Sequence, residues 1–209
     1  YVGGSTSAAN ATTHRVTLPA GTQAGDGLLL FVSNNNVSAP TSSPTGGGAW
    51  AIVDTVNTGS VITQVWKAPA GAAPAGATVQ VTTSALAKVN VTVLAYRGTA
   101  ADPVAAFARA AETTTATSHA TPVASVTGPG SWVVSYWAQK DSDTAASPLG
   151  APAGVTSRSA GTSTGSGRVV SLAADSGGPV AQGSYGGQVA TAAVAARHAT
   201  MWTIVLRPG

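Results

Sequence analysis

The chain has 209 residues, 44% of them hydrophobic and only 8% charged, with no cysteine and a net charge of +3. That length is ample for a large core, and a chain without cysteine has no disulfide staples. Its ten Lys and Arg form no basic run, which argues against nucleic acid as a partner, and no apolar run reaches the ~18 residues of a membrane-spanning helix, so no membrane insertion is expected.

Residues 1–12 are small and polar and read as a frayed or edge segment. Residues 13–18 alternate like a strand. The turn Gly25-Asp26-Gly27 then leads into residues 28–33, a buried strand that ends in Asn34-Asn35-Asn36. Residues 50–56 and 61–67 read as a hairpin around Asn57-Thr58-Gly59, and a Pro/Ala/Gly loop follows at 68–76. Residues 78–83 and 88–96 are two more strands. Residues 104–111 are rich in Ala but lack a 3.6-residue stripe, so a strand is expected there too.

Residues 131–138 read as a central strand. Trp132, Val134 and Tyr136 point one way, Val133, Ser135 and Trp137 the other, and a strand apolar on both faces lies in the middle of a covered sheet. Residues 155–158, 168–173, 188–194 and 199–206 complete the set. Roughly eleven short strands and no helical period predict an all-β protein, a jelly-roll-like β-sandwich.

The chain also resembles itself. Residues 84–97 align with 194–207 at an offset of 110 (97 to 207), and residues 27–33 align with 131–137 at an offset of 104 (33 to 137). Two similar halves, about 25–99 and 128–209, are expected to face each other. Neither half could bury its sheet alone, so residues 1–209 are expected to form a single domain. In this alignment Asn34-Asn35-Asn36 falls opposite Ala138-Gln139-Lys140, placing these loops at one end of the sandwich or at related positions.

The central strand turns abruptly polar after Ala138. Trp137, Gln139 and Lys140, with Asn34, Asn35 and Asn36, are the expected ligand-binding surface, because a rigid strand presents polar groups at low entropic cost. Asp141-Ser142-Asp143 sets two carboxylates close together, and Asp141 and Asp143 are the candidate ligands for a calcium ion. Gly161-Thr162-Ser163-Thr164-Gly165 fits the G-x-S-x-G pattern but lies in a loop that runs into a strand, not in a strand-to-helix elbow. His14, His119 and His198 have no zinc-ligand spacing, and Glu112 is the only glutamate, which excludes a Glu/Glu glycosidase pair. Trp132 and Trp202 are expected in the core. Trp50, Trp66 and Trp137 lie nearer strand ends, where an indole can stack on a sugar ring.

Gly25-Asp26-Gly27-Leu28-Leu29-Leu30, Gly48-Ala49-Trp50, Val65-Trp66-Lys67, Leu94-Ala95-Tyr96-Arg97-Gly98, Ser131-Trp132-Val133-Val134-Ser135-Tyr136-Trp137 and Thr200-Met201-Trp202-Thr203-Ile204-Val205-Leu206 together resemble a β-sandwich module. That module recurs in large secreted proteins of GC-rich Gram-positive bacteria and in phage appendages. The resemblance implies a sandwich and an extracellular or cell-surface location, and it brings no catalytic residues. The expected function is a non-catalytic extracellular binding or adhesion module whose partner is a glycan or cell-surface polymer, not an enzyme. The alternative is a structural building block of a cell-surface, filament or phage appendage assembly that packs against copies of itself.

Overall fold

The structure is a computed structural model and describes residues 1–68, 75–142 and 147–209. The first half of the chain supplies β1 (Gly3–Thr17), β2 (Gly27–Asn34), β3 (Ala51–Asn57), β4 (Ile62–Ala68) and β5 (Thr78–Tyr96). The second supplies β6 (Thr99–Glu112), β7 (Ala116–Ala120), β8 (Ala124–Val126), β9 (Val133–Asp141), β10 (Thr156–Thr162), β11 (Arg168–Asp175), β12 (Gly183–Tyr185), β13 (Val189–Ala196) and β14 (His198–Pro208). Two five-stranded antiparallel sheets result, ordered β1-β5-β2-β4-β3 and β6-β14-β9-β11-β10. The expected all-β sandwich of two similar halves is present: read strand for strand, the two sheets have the same topology. The centres of the two sheets are β2 and β9, each apolar and buried on both faces.

The structural register corrects the aligned offset by one residue. Leu29 pairs with Leu94, Val134 pairs with Ile204, and all four point into the core between the sheets. Leu29 therefore corresponds to Val134, an offset of 105 (29 to 134). The offset of 104 matches Leu29 to Val133, which lies on the other face, because one residue of slip in a strand reverses every side chain.

The shared core also holds Phe31, Val65, Tyr96, Tyr136, Ala173, Trp202 and Leu206, drawn from both halves. Each sheet has an apolar outer face as well, and the two are covered differently. In the first half a bulge between Ala11 and Thr13 divides the β1/β5 ribbon. The arm beyond it brings Val16, Val79 and Val81 into one apolar cluster with Leu28, Leu30 and Val32. Residues 1–12 are therefore mostly paired edge strand, and the two strands expected at 78–83 and 88–96 are one. In the second half two short ribbons, β7/β13 and β8/β12, supply the cover. Ala190 and Ala192 of β13 pack on Trp137 and Leu172, and Ala124 and Val126 of β8 pack on Val133 and Val205.

Candidate functional site

The rows of side chains between the sheets change character along the strands. Phe31 and Tyr136 stack with ring centroids 4.2 Å apart and planes 11° from parallel. One step on lies a layer of buried hydroxyls. Ser33 Oγ is 2.8 Å from both Tyr136 Oη and Thr63 Oγ1, and Thr63 Oγ1 is 2.7 Å from Thr200 Oγ1. Burial pushes the Tyr136 hydroxyl up to about 12, so it stays protonated and can donate. One step further, Asn35 on β2's continuation, Lys88 and Asn90 on β5, and Lys140 on β9 lie on the same inward-facing rows at the mouth of the sandwich.

This mouth is organised around the turn between β10 and β11. Gly165 and Gly167 have φ of 76° and 67°, the left-handed region that suits glycine. Carbonyls of the turn accept from three sides: Gly165 O from Arg168 Nε at 3.0 Å, Ser166 O from Lys88 Nζ, and Gly167 O from Asn35 Nδ2 at 2.7 Å. Asn35 Oδ1 in turn accepts from the Lys88 backbone N–H at 3.0 Å. A Cβ at Gly167 would lie 3.6 Å from Lys140 Cε, so Lys140 borders the same turn. Outside it opens a basin of about 340 Å³, lined by Asn10, Asn35, Asn36, Ser60, Lys88 and Lys140 among others. No carboxylate is among the described residues that line it, and neither lysine belongs to an ion pair among the described residues.

The expected site residues divide by face. Asn35, Asn36 and Lys140 come together here, as the alignment of the two loops suggested. Asn34, Trp137 and Gln139 are buried on the outer faces of β2 and β9, where a ligand does not reach them. Asn34 Nδ2 donates to Ala39 O at 3.2 Å, Trp137 Nε1 donates to His119 O at 2.9 Å, and Gln139 Oε1 lies 3.1 Å from His119 Nε2. Asp141 is buried too, directly opposite Arg168 in the β9/β11 register, and its Oδ2 accepts from Ser147 N at 3.3 Å. Asp143 lies outside the described residues. Among the described residues no group of three or more His, Cys, Asp or Glu could hold a metal ion. Sequence reasoning missed Asn10, Ser60 and Lys88. The signal for Lys88 was its parity with Asn90, Thr92 and Leu94, the inward row of β5.

The remaining candidates have structural roles. Ser163 is buried and caps Val169, accepting from its N–H at 2.8 Å. Gly161 faces Thr6, whose Cγ2 would lie 2.5 Å from an added Cβ, so this glycine permits close approach between the sheets. His119 Nδ1 lies 2.5 Å from Glu112 Oε2, tying β7 to the second sheet. Trp202 is fully buried, but Trp132, expected in the core, stands just before β9 and is only partly buried. It borders a crevice of about 110 Å³ with Tyr96, Arg97 and Arg207, at the end opposite the basin. That end is closed by Asp175, which is fully buried and accepts from Tyr96 Oη at 3.0 Å, Arg158 Nε at 2.7 Å and Gly177 N at 2.9 Å.

Set against known protein families, curated proteins and solved structures, the chain matches none.

Proposed function

We propose that this chain is a non-catalytic, extracellular binding or adhesion module that takes a glycan or cell-surface polymer in the basin at the mouth of the sandwich. The observation that carries the reading is the convergence of three asparagine amides, a serine hydroxyl and two lysines on one open basin. The Asn35 amide is taken up in holding the turn, while the Asn10 and Asn36 amides offer the donor and acceptor groups that sugar hydroxyls match. The groups are held by strand ends and by the hydrogen-bonded turn 165–167, so little order has to be created on binding. The basin's described lining contains no carboxylate or imidazole to act as a general acid or base, which favours binding over catalysis. Extracellular placement is supported by the low charge and by the resemblance in sequence. A glycan array with the parent and Asn36→Ala tests the reading. The expected result is binding to a defined glycan set, weakened roughly tenfold by the substitution, with the thermal midpoint lowered only slightly by loss of the exposed Asn36 Nδ2–Leu86 O hydrogen bond. Absence of any glycan signal would overturn it.

A second reading, a building block of an assembly, is favoured by one observation. Ile52 and Phe107 are 47% and 39% exposed on β3 and β6, the two edge strands that the Arg109–Asp54 ion pair joins. Concentration-dependent light scattering that Phe107→Ser abolishes would support this reading, and a monomer at all concentrations would remove it.

A further inference from the structure

We infer that the basin selects anionic polysaccharide, chains bearing uronate carboxylates or sulfate esters, over neutral glycans. This rests on the reading of the basin as a glycan site and adds the ligand's charge.

The inference starts from where the charges go. Asp26, Asp54, Asp102 and Asp175 are held in ion pairs with lysine or arginine, and Glu112 lies 2.5 Å from His119 Nδ1. Asp141 is buried on the face of β9 away from the basin. The chain has only three lysines. Lys67 is paired with Asp102 at 2.5 Å, while Lys88 and Lys140 both border the glycine turn. Among the described residues, then, the basin gathers two ammonium groups and no compensating carboxylate. Lys88 Nζ is held by the Ser166 carbonyl. A carbonyl orients an ammonium without neutralising it, and two like charges around one turn repel. A ligand carboxylate or sulfate relieves that repulsion and gains charge-assisted hydrogen bonds.

The rest of the lining identifies a sugar as the carrier of that charge. Asn10, Asn36 and Ser60 can read hydroxyls, and Leu86, 60% exposed, offers an apolar wall to the C–H face of a ring. Nucleic acid is less well served. Its sequence-tolerant binders stack bases on aromatic side chains, and the basin's described lining has none.

The test is titration calorimetry of the whole chain with polygalacturonate, dextran sulfate, neutral dextran and single-stranded DNA, at low and at physiological salt. The proteins are the parent, Lys140→Gln and Lys88→Gln/Lys140→Gln. The expected result is binding of one or both polyanionic glycans, weakened by salt, roughly tenfold weaker in Lys140→Gln and weaker still in the double variant. Lys140 is only half-buried, so its single variant keeps the test intact if the double variant fails to fold. Carboxylate and sulfate are told apart by which of the two polymers binds more tightly. Equal affinity for neutral dextran, unchanged by either substitution, would overturn the charge selection and leave the glycan reading standing. Tighter binding of DNA would overturn the choice of polysaccharide. No binding to any of these polymers would overturn the charge selection, and the array result would then decide whether the glycan reading survives.

Discussion

The two halves of this protein have one topology and two ways of covering it. Both sheets carry an apolar outer face that must be kept from water. The first half folds its own long β1/β5 ribbon into the cover, using a bulge at Ala11/Thr13. The second keeps its strands within the sheet and adds the β7/β13 and β8/β12 ribbons instead. The difference shows that the sheet pair is the fixed part of the design and that its covers vary. The shared core draws side chains from both halves, and loops of both halves meet at the mouth.

Removing a core side chain shared by both sheets breaks the comparison most severely. Trp202→Ala deletes a fully buried indole between the sheets, with an expected cost of about 3–5 kcal/mol. Urea unfolding followed by fluorescence and by circular dichroism measures it. Coincident transitions are expected, because the two halves lose a common core; two separated transitions would show that each half folds on its own.

The covers can be compared directly. Leu30 lies under the folded arm and Leu172 under the added ribbon, both fully buried or nearly so. Leu30→Ala and Leu172→Ala are each expected to cost about 2–5 kcal/mol. Losses equal within about 1 kcal/mol would show that the covers are equivalent seals by the measure of cavity cost. A clearly smaller loss at Leu172 would mark the β7/β13 ribbon as loosely held.

Much of this architecture was legible in the sequence, and the part that was not has a single physical source. Strand period and two-faced hydrophobicity located β9 as a central strand and β2 as a buried one, and the internal similarity anticipated two matching halves. Face assignment past the end of the apolar run was harder. Trp137, Gln139 and Lys140 are neighbours in sequence, yet period two sends Lys140 to the basin and the other two under the ribbon that covers the second sheet. Asn34 and Asn35 divide in the same way. The division follows from carrying the alternation of Phe31 and Ser33 forward to Asn35, and that of Tyr136 and Ala138 forward to Lys140. The covers were not legible, because a bulge that turns one ribbon over and a distant pairing such as β7 with β13 leave no local pattern.

The covers also differ in how each buries a histidine, which sharpens the comparison through pH. His119, in the ribbon cover, meets Glu112 and Gln139. His14, in the arm, is buried opposite Val81, and neither ring nitrogen makes a well-formed hydrogen bond. Burial lowers the His14 imidazole below its ordinary value, with the Ala11 carbonyl offsetting part of the effect. The folded state thus resists a proton that the unfolded chain takes up near pH 6.5, about the ordinary value. Stability contributed by neutral His14 is fully present above that pH. It is lost as pH falls from there toward the lower folded-state value. Thermal midpoints from pH 8 down to pH 5, about the range in which a histidine titrates, should fall more steeply for the parent than for His14→Leu. Parallel curves would show that His14 is hydrated in the arm.

The smallest expected effect concerns calcium at the polar end of β9. A calcium ion takes about six to eight oxygen ligands, usually several of them carboxylates. Asp141 is turned away from the basin and buried, a backbone N–H already donates to one oxygen, and an arginine stands directly opposite across the β9/β11 register. A divalent cation entering there would meet Arg168 as a like charge. The thermal midpoint is therefore expected to be the same with excess calcium and with chelator, and Asp141→Asn should lower it equally in both. Asp143→Asn, measured alongside, covers the second carboxylate of the pair. A rise in midpoint with calcium that is lost in Asp141→Asn/Asp143→Asn would show the opposite. It would require the end of β9 to open enough for Asp141 to reach the ion, which would make this edge of the mouth, and not the lysine basin alone, responsive to ligand.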